Sequence, residues 1–185
     1  MNRLFIISGA SGVGKSTVLK KVMADRTDLT FSVSATTRGP RPGEVEGESY
    51  YFVTREAFQD MIAQDAFLEY DDHMGNCYGT PKTEVEKKLV QGHVILDIEP
   101  NGAFAVKGKR PDAVLIFIAP PSMDELEQRL RGRGDTSPEQ MQLRLARASW
   151  EMEQSKHYDY IVTNDQVETC AHKILDIISQ REMEE

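Results

Sequence analysis

Gly9-Ala10-Ser11-Gly12-Val13-Gly14-Lys15-Ser16 follows the apolar run Leu4-Phe5-Ile6-Ile7 and precedes a helical pattern with Val18, Leu19 and Val22 on one face. The eight residues complete the pattern G-x-x-x-x-G-K-[ST], and the flanks make it meaningful. A strand delivers the chain to a tight turn, where glycines let successive backbone N–H groups close around an anion. The helix that follows points its positive end at the same place. Gly9, Ala10, Ser11, Gly12, Val13, Gly14, Lys15, Ser16 and Thr17 are therefore expected to cradle the phosphates of a nucleoside triphosphate. Lys15 has the length to reach the β- and γ-phosphates, and the Ser16 hydroxyl is a ligand for Mg²⁺.

The rest of the composition bounds what else the chain does. At 185 residues it suits one domain with a sizeable core. Its net charge of −8 argues against a nucleic-acid or membrane-surface binder, which needs a basic face. A phosphate ligand must then be held by a local cluster of cations. Cys77 and Cys170 lie far apart without metal-ligand spacing and read as free thiols of a reducing compartment, so a cytoplasmic protein is expected. The first residues enter a strand at once, with no segment that reads as targeting. No stretch approaches the ~20 apolar residues that would span a membrane.

Outward from the loop, strands and helices alternate. Strands are predicted near residues 4–8, 30–35, 94–98, 113–119 and 160–162, and helices over 15–24, 55–64 and 166–182. Residues 113–119 are almost wholly apolar, as an inner parallel strand requires. Thr54 is a candidate cap for the second helix. Thr80-Pro81 reads as a cap followed by proline at the first helical position of another helix, which ends before Gly92. Ser122-Met123-Asp124-Glu125 reads as a capping box, and Ser137-Pro138-Glu139-Gln140 opens a further helix. Residues 36–49 read as an exposed loop, residues 50–53 and 67–70 as short strands, and Gly75–Gly79 as a turn. The pattern gives an α/β fold: a parallel sheet with helices on both faces, an inserted α+β lobe and an arginine-dense helical hairpin.

Four constellations carry chemistry. Val94-Ile95-Leu96-Asp97 is an apolar strand ending in an acid, which places a carboxylate near the metal or the nucleotide. Glu99 falls on the same side by the two-residue period and could share that role. Arg38 and Arg41 stand in the stiff Ser34-Ala35-Thr36-Thr37-Arg38-Gly39-Pro40-Arg41-Pro42-Gly43-Glu44 segment, where bidentate phosphate binding has a low ordering cost. Glu69 and the Gly75-Asn76-Cys77-Tyr78-Gly79-Thr80 segment suit guanine. The carboxylate accepts from N1–H and the exocyclic amine, and Ser34 or Thr80 donates to O6. Adenine, with no N1–H, would leave a carboxylate unpaired. Arg129, Arg131, Arg133, Arg144 and Arg147 surround Gly132 and Gly134, and arginines that arrive on closure stabilise a migrating phosphoryl group.

These blocks, with Tyr50-Tyr51-Phe52 and Asn164-Asp165, resemble the guanylate kinases in order and spacing over nearly the whole chain. The resemblance implies a P-loop NTPase fold: a core of 1–33, 81–124 and 156–185, a nucleoside-monophosphate lobe of 34–80 and a lid of 125–155. It implies an ATP:GMP phosphotransferase whose partners are ATP and GMP, with Mg²⁺ accompanying ATP and no nucleic acid or membrane. Ser34, Arg38, Arg41, Tyr50, Glu69, Tyr78, Thr80, Asp97 and Glu99 would form the GMP site, with Arg38, Arg41, Tyr50 and Tyr78 on its phosphate. Arg133 and Arg144 would be lid arginines on the ATP phosphates, and Asn164 would lie near the adenine. Lys15, Arg38, Arg41, Arg133 and Arg144 would be catalytic, and Ser16 and Asp97 would hold the metal. One block departs from the family pattern Glu-x-Asp-x-x-Gly with Gln before the glycine. Here Asp97-Ile98-Glu99-Pro100-Asn101-Gly102 keeps both acids with their lengths exchanged and has Asn for Gln.

Overall fold

The computed structural model describes residues 1–73, 75–131 and 137–184. In chain order its elements are β1 (Leu4–Gly9), α1 (Lys15–Asp25), β2 (Leu29–Phe31), β3 (Ala35–Thr36), β4 (Tyr51–Phe52), α2 (Arg55–Ala63), β5 (Phe67–His73), β6 (Asn76–Pro81) and α3 (Lys82–Leu89). There follow β7 (His93–Asp97), α4 (Pro100–Lys109), β8 (Val114–Ala119), α5 (Met123–Arg131), α6 (Pro138–Gln154), a 3₁₀ turn (Ser155–His157), β9 (Tyr160–Thr163) and α7 (Val167–Met183).

Five strands form one parallel sheet in the order β2-β7-β1-β8-β9. Its inner strands are buried on both faces, which is why their sequences are continuous apolar runs rather than alternating ones. Leu4, Phe5, Ile6, Ile7, Leu115 and Ile116 form its centre. A second sheet, β4-β3-β6-β5, is mostly antiparallel and has its own small core of Ala35, Phe58, Phe67 and Cys77. The rings of Phe58 and Phe67 stack there at 4.5 Å. The first sheet presents the carboxyl ends of β1 and β7 side by side, with Ile7 in register with Asp97. Ligands of open parallel sheets bind at that edge.

The fold corrects several expectations at the level of elements. The strand predicted at 30–35 is two strands in two sheets: Leu29–Phe31 joins the core sheet, and Ala35–Thr36 opens the second. Gly75–Gly79 is not a turn throughout; Asn76–Pro81 is strand β6, which pairs with β5. Gly79 is small for packing, since a Cβ there would lie 2.9 Å from the Phe67 ring. Thr80 is consequently a strand residue, and Pro81 rather than Thr80 occupies the cap position of α3, without a side-chain cap bond. At α5 half of the capping box forms: the Ser122 hydroxyl accepts from the Glu125 N–H at 3.1 Å, while the Glu125 carboxylate turns to Arg129. The box at Ser137 and Gln140 is complete. Helix α4 was not foreseen, because three of its ten residues are Pro or Gly and its apolar residues show almost no one-sided pattern.

Candidate functional site

Two clefts meet at the carboxyl end of the core sheet. The first is the loop after β1, a cleft of about 250 Å³ lined by Gly9–Thr17 together with Glu99, Arg147 and Glu151. Gly12 and Gly14 adopt φ of +88° and +93°, a region other residues enter only with strain. A Cβ on Gly12 would also meet Leu130 of α5 at 2.4 Å. Gly14 caps α1, so the positive end of that helix faces the cleft.

Three contacts hold the loop from outside. The Gly9–Ala10 end is tied to β8 by the Ala10 N–H donating to the Ile118 carbonyl at 3.2 Å. Asn164, buried after β9, donates through Nδ2 to the Val13 carbonyl at 2.8 Å. The Ser11 N–H donates to the Glu151 carboxylate at 2.6 Å. Glu151 is only 3% exposed, and burial pushes its carboxyl above the usual range against the pull of Ser11 and Arg147. Lys15 points out of the loop and pairs with Asp97 at the end of β7. Ser16 and Thr17 are exposed beside it.

The second cleft, about 340 Å³, lies between the two sheets. Ser34, Tyr50, Glu69, Tyr78, Asp97 and Glu99 line it, joined by Asn101 and Gly102 of the block that departs from the family pattern and by Asp71, which carries no sequence signal. Thr80 lines an adjoining recess with Ser34, Tyr50 and Asp97. A β-bulge between Phe67 and Glu69 shifts the register so that Glu69 stands directly opposite Thr80. The Thr80 hydroxyl donates to the Glu69 carboxylate at 2.5 Å. Burial pushes the Glu69 carboxyl above its ordinary range, the Thr80 bond opposes this, and Asp71 adds to it. Gly102 of α4 backs the same carboxylate, and a Cβ there would stand 3.0 Å from it. Glu99 caps α4 beyond the end of β7, so it does not share a strand face with Asp97 as its spacing suggested; it lines both clefts instead.

The cations expected around a phosphate are less concentrated. Arg38 is paired with Glu44 and lies 5.3 Å above the ring of Tyr50, which lines the second cleft. Glu44, held by Arg38 and by the Arg41 N–H, has its carboxyl pulled down to about 2. Arg41 is exposed in the same loop. Neither arginine is among the cleft-lining residues. Arg144 is exposed on α6 outside both linings. Arg133, with Gly132 and Gly134, lies outside the described residues.

A model of the guanylate kinase family matches residues 1–181. The chain belongs to this family. Guanylate kinases of Thermus thermophilus, Clostridium perfringens and Desulfitobacterium hafniense are 50%, 49% and 47% identical to it. The matches cover 96%, 95% and 95% of this chain and 80%, 82% and 88% of the relatives. The crystal structure of guanylate kinase from Anaplasma phagocytophilum superposes with a TM-score of 0.76 at 33% identity, over 98% of this chain and 87% of that one. The SH3-kinase fragment of tight junction protein 3 shares the fold alone, at 12% identity and a TM-score of 0.51, over 97% of this chain and 57% of that one.

Within the guanylate kinase fold, Glu151 and Asn164 brace the phosphate loop of this chain. The signal for Glu151 was present: it lies three residues after Ala148 on the face of α6 that is buried. What hid it was the alternation of charge along α6, which reads as a solvated surface. Outside the clefts, Asp28, His93 and Glu182 offer atoms within 4.8 Å of one another, the only such metal-competent group among the described residues. Arg26 already bridges both acids. His93 Nδ1 accepts the Arg3 N–H at 3.0 Å, so the neutral ring carries its proton on Nε2 and donates to Glu182. That polarity suits an ion-pair cluster joining the β2 edge to α7, not a metal. No helix among the described residues is long and apolar enough to cross a membrane.

Proposed function

We propose that the protein transfers the γ-phosphoryl group of ATP to GMP, giving ADP and GDP. One observation carries the reading: the phosphate loop and the Glu69 cleft are neighbours with Glu99 in the wall of both, so a donor in one and an acceptor in the other meet end to end. The loop amides and Lys15 would hold the donor phosphates. Glu69, oriented by Thr80, would accept from N1–H and the exocyclic amine of guanine, with Ser34 or Thr80 donating to O6.

No general base is needed. A phosphate monoester has its second pKa near ~6, so the attacking oxygen is already ionised at pH 7. The protein's task is to align two polyanions and offset their repulsion. Lys15, Arg38, Arg41, Arg133 and Arg144 would supply cations for this, with Tyr50 and Tyr78 helping to hold the acceptor phosphate. The hydroxyl of Ser16 and the carboxylate of Asp97 are hard oxygen donors beside the loop, a set that fits Mg²⁺. They would hold the ion that accompanies ATP, which would supply neutralisation of the phosphate charge. Asn164 would support the adenine end of the site through the loop it grips. Cys77 and Cys170 are free and buried, which suits a reducing cytoplasm.

The test is an acceptor panel. ADP release is followed with GMP, dGMP, AMP, CMP, UMP and ribose phosphates. GMP should support turnover with kcat/KM at least ~10⁴ above AMP, the discrimination available to a site that hydrogen-bonds the base. Equal turnover with AMP, or with a phosphate lacking a base, overturns the assignment.

A further inference from the structure

Arg147 stands on α6 one turn before Glu151. Its Nε donates to the Glu151 carboxylate at 3.3 Å, and its fork is paired with Glu99. All three side chains line the loop cleft with Gly9–Thr17, whereas Arg144, three residues earlier, does not. The bland alternative is an exposed i,i+4 ion pair. Glu151 argues against it, because it is buried and its other oxygen is fixed by the Ser11 N–H of the loop itself. Arg147 is therefore tied to the loop through one carboxylate, and its position at the cleft mouth follows from the loop's.

The charges of that wall define its task. Among the lining residues Lys15 and Arg147 oppose Glu99 and Glu151, so the charged side chains balance. A balanced wall offers a triphosphate no net attraction beyond the loop amides and the helix end. The Glu99 carboxylate is half-exposed, and an ion pair so placed is weakly held. A guanidinium fork accepts a phosphate in the same bidentate geometry as a carboxylate, with more charge to meet. The Nε bond to Glu151 keeps the guanidinium at the cleft while the fork changes partner.

We propose that Arg147 binds the phosphates of the donor nucleotide, held in place by Glu151 and exchanged from Glu99 when the triphosphate enters. This rests on the donor half of the functional reading alone. The experiment is calorimetric titration of the wild type, Arg147→Ala, Arg147→Lys and Arg110→Ala with MgATP in the absence of acceptor, and separately with GMP. Arg110 pairs with Asp112 beyond the end of α4, outside both cleft linings, and serves as a control for a lost ion pair. Arg147→Ala should weaken ATP binding roughly 10- to 100-fold, the loss expected for a charge-assisted bond. Arg147→Lys should recover part of it, Arg110→Ala should stay within twofold, and GMP affinity should hold in all four. ATP binding by Arg147→Ala within twofold of the wild type overturns the proposal. So does an equal loss of ATP and GMP affinity, which would report a displaced helix. Since no acceptor is present, this result is independent of the acceptor panel, and failure of one reading is distinguishable from failure of the other.

Discussion

The two clefts are built from different material. The loop cleft is made of backbone: nine consecutive residues whose N–H groups and glycine conformations form the cradle, with side chains such as Asn164 and Glu151 bracing it from outside. The Glu69 cleft is made of side chains brought from β4's approach, β5, β6, β7 and the start of α4. A backbone cradle recognises phosphate, which every nucleotide carries. A side-chain cleft recognises a base, and its selectivity depends on keeping a buried carboxylate correctly partnered. On the proposed reading, generic affinity and specificity are separated between the two clefts, and substitutions should separate them too.

The largest effect is expected at the one charged side chain the loop itself contributes. Lys15→Met should lower GMP-dependent ADP release by about 10³-fold, the scale of removing one preorganised charge donor from a transfer site. Its partner Asp97 is 36% exposed, so the variant leaves no buried unpaired charge and the melting temperature should hold. Near-normal turnover would show that the loop amides alone suffice and would break the comparison at its strongest point.

Glu69→Gln probes the other cleft. It should leave ATP binding alone and reduce the preference for GMP over AMP by about 100-fold, since two charge-assisted bonds to guanine are lost or reversed. An unchanged preference in the acceptor panel would mean that Glu69 does not read the base.

The same difference explains what was legible in the sequence. The loop could be read because its geometry is local: Gly12 and Gly14 are required by their own φ values, and Lys15 and Ser16 by their distance from them. The parallel core strands were legible as apolar runs. In the second cleft the chemistry of Glu69, Ser34 and Thr80 could be matched to guanine, and the resemblance added the rest, but the bulge in β5 that sets Glu69 opposite Thr80 is announced by no residue pattern. Gly79 read as a turn because a glycine needed to make room for Phe67 looks the same as one needed for positive φ. The bonds that Glu151 and Asn164 make to the loop carry no local signal, because their partners, Ser11 and Val13, are 140 and 151 residues away. Helix α4 was lost to its weak periodicity, although it supplies Gly102 behind Glu69.

Asn164→Ala asks whether the loop's bracing can be weakened without touching the other cleft. The Nδ2 bond to the Val13 carbonyl is buried, and losing it should cost about 1–3 kcal/mol. For a chain of this size that lowers the melting temperature by roughly 2–4 °C per kcal/mol. The KM for ATP should rise about tenfold, reflecting a looser cradle, and the KM for GMP should not move. A raised KM for ATP with an unchanged melting temperature would instead place the amide against the nucleotide. Thermal unfolding and steady-state kinetics together tell these outcomes apart.

The smallest effect, a few-fold, is in pH dependence, and it belongs to the side-chain cleft alone. Burial raises the Glu69 carboxyl above its unfolded value. A carboxyl raised on folding costs stability at pH above its folded pKa, and that cost disappears as the pH falls below its unfolded pKa. Glu69→Gln should therefore be slightly more stable than the wild type at pH 7, with the difference shrinking towards pH 4. Binding runs the opposite way, because a protonated Glu69 has lost the charge that accepts from guanine. The wild-type KM for GMP should rise as pH falls from 7.5 towards 5 more steeply than that of Glu69→Gln. The acceptor phosphate, with its own pKa near ~6, titrates identically with both proteins, so it cancels in the ratio of their KM values. Across the same range ATP affinity should show no difference between the two, because the backbone cradle contains no Glu69. A flat ratio for GMP would mean that Glu69 does not change its charge over this range in either the free protein or the complex.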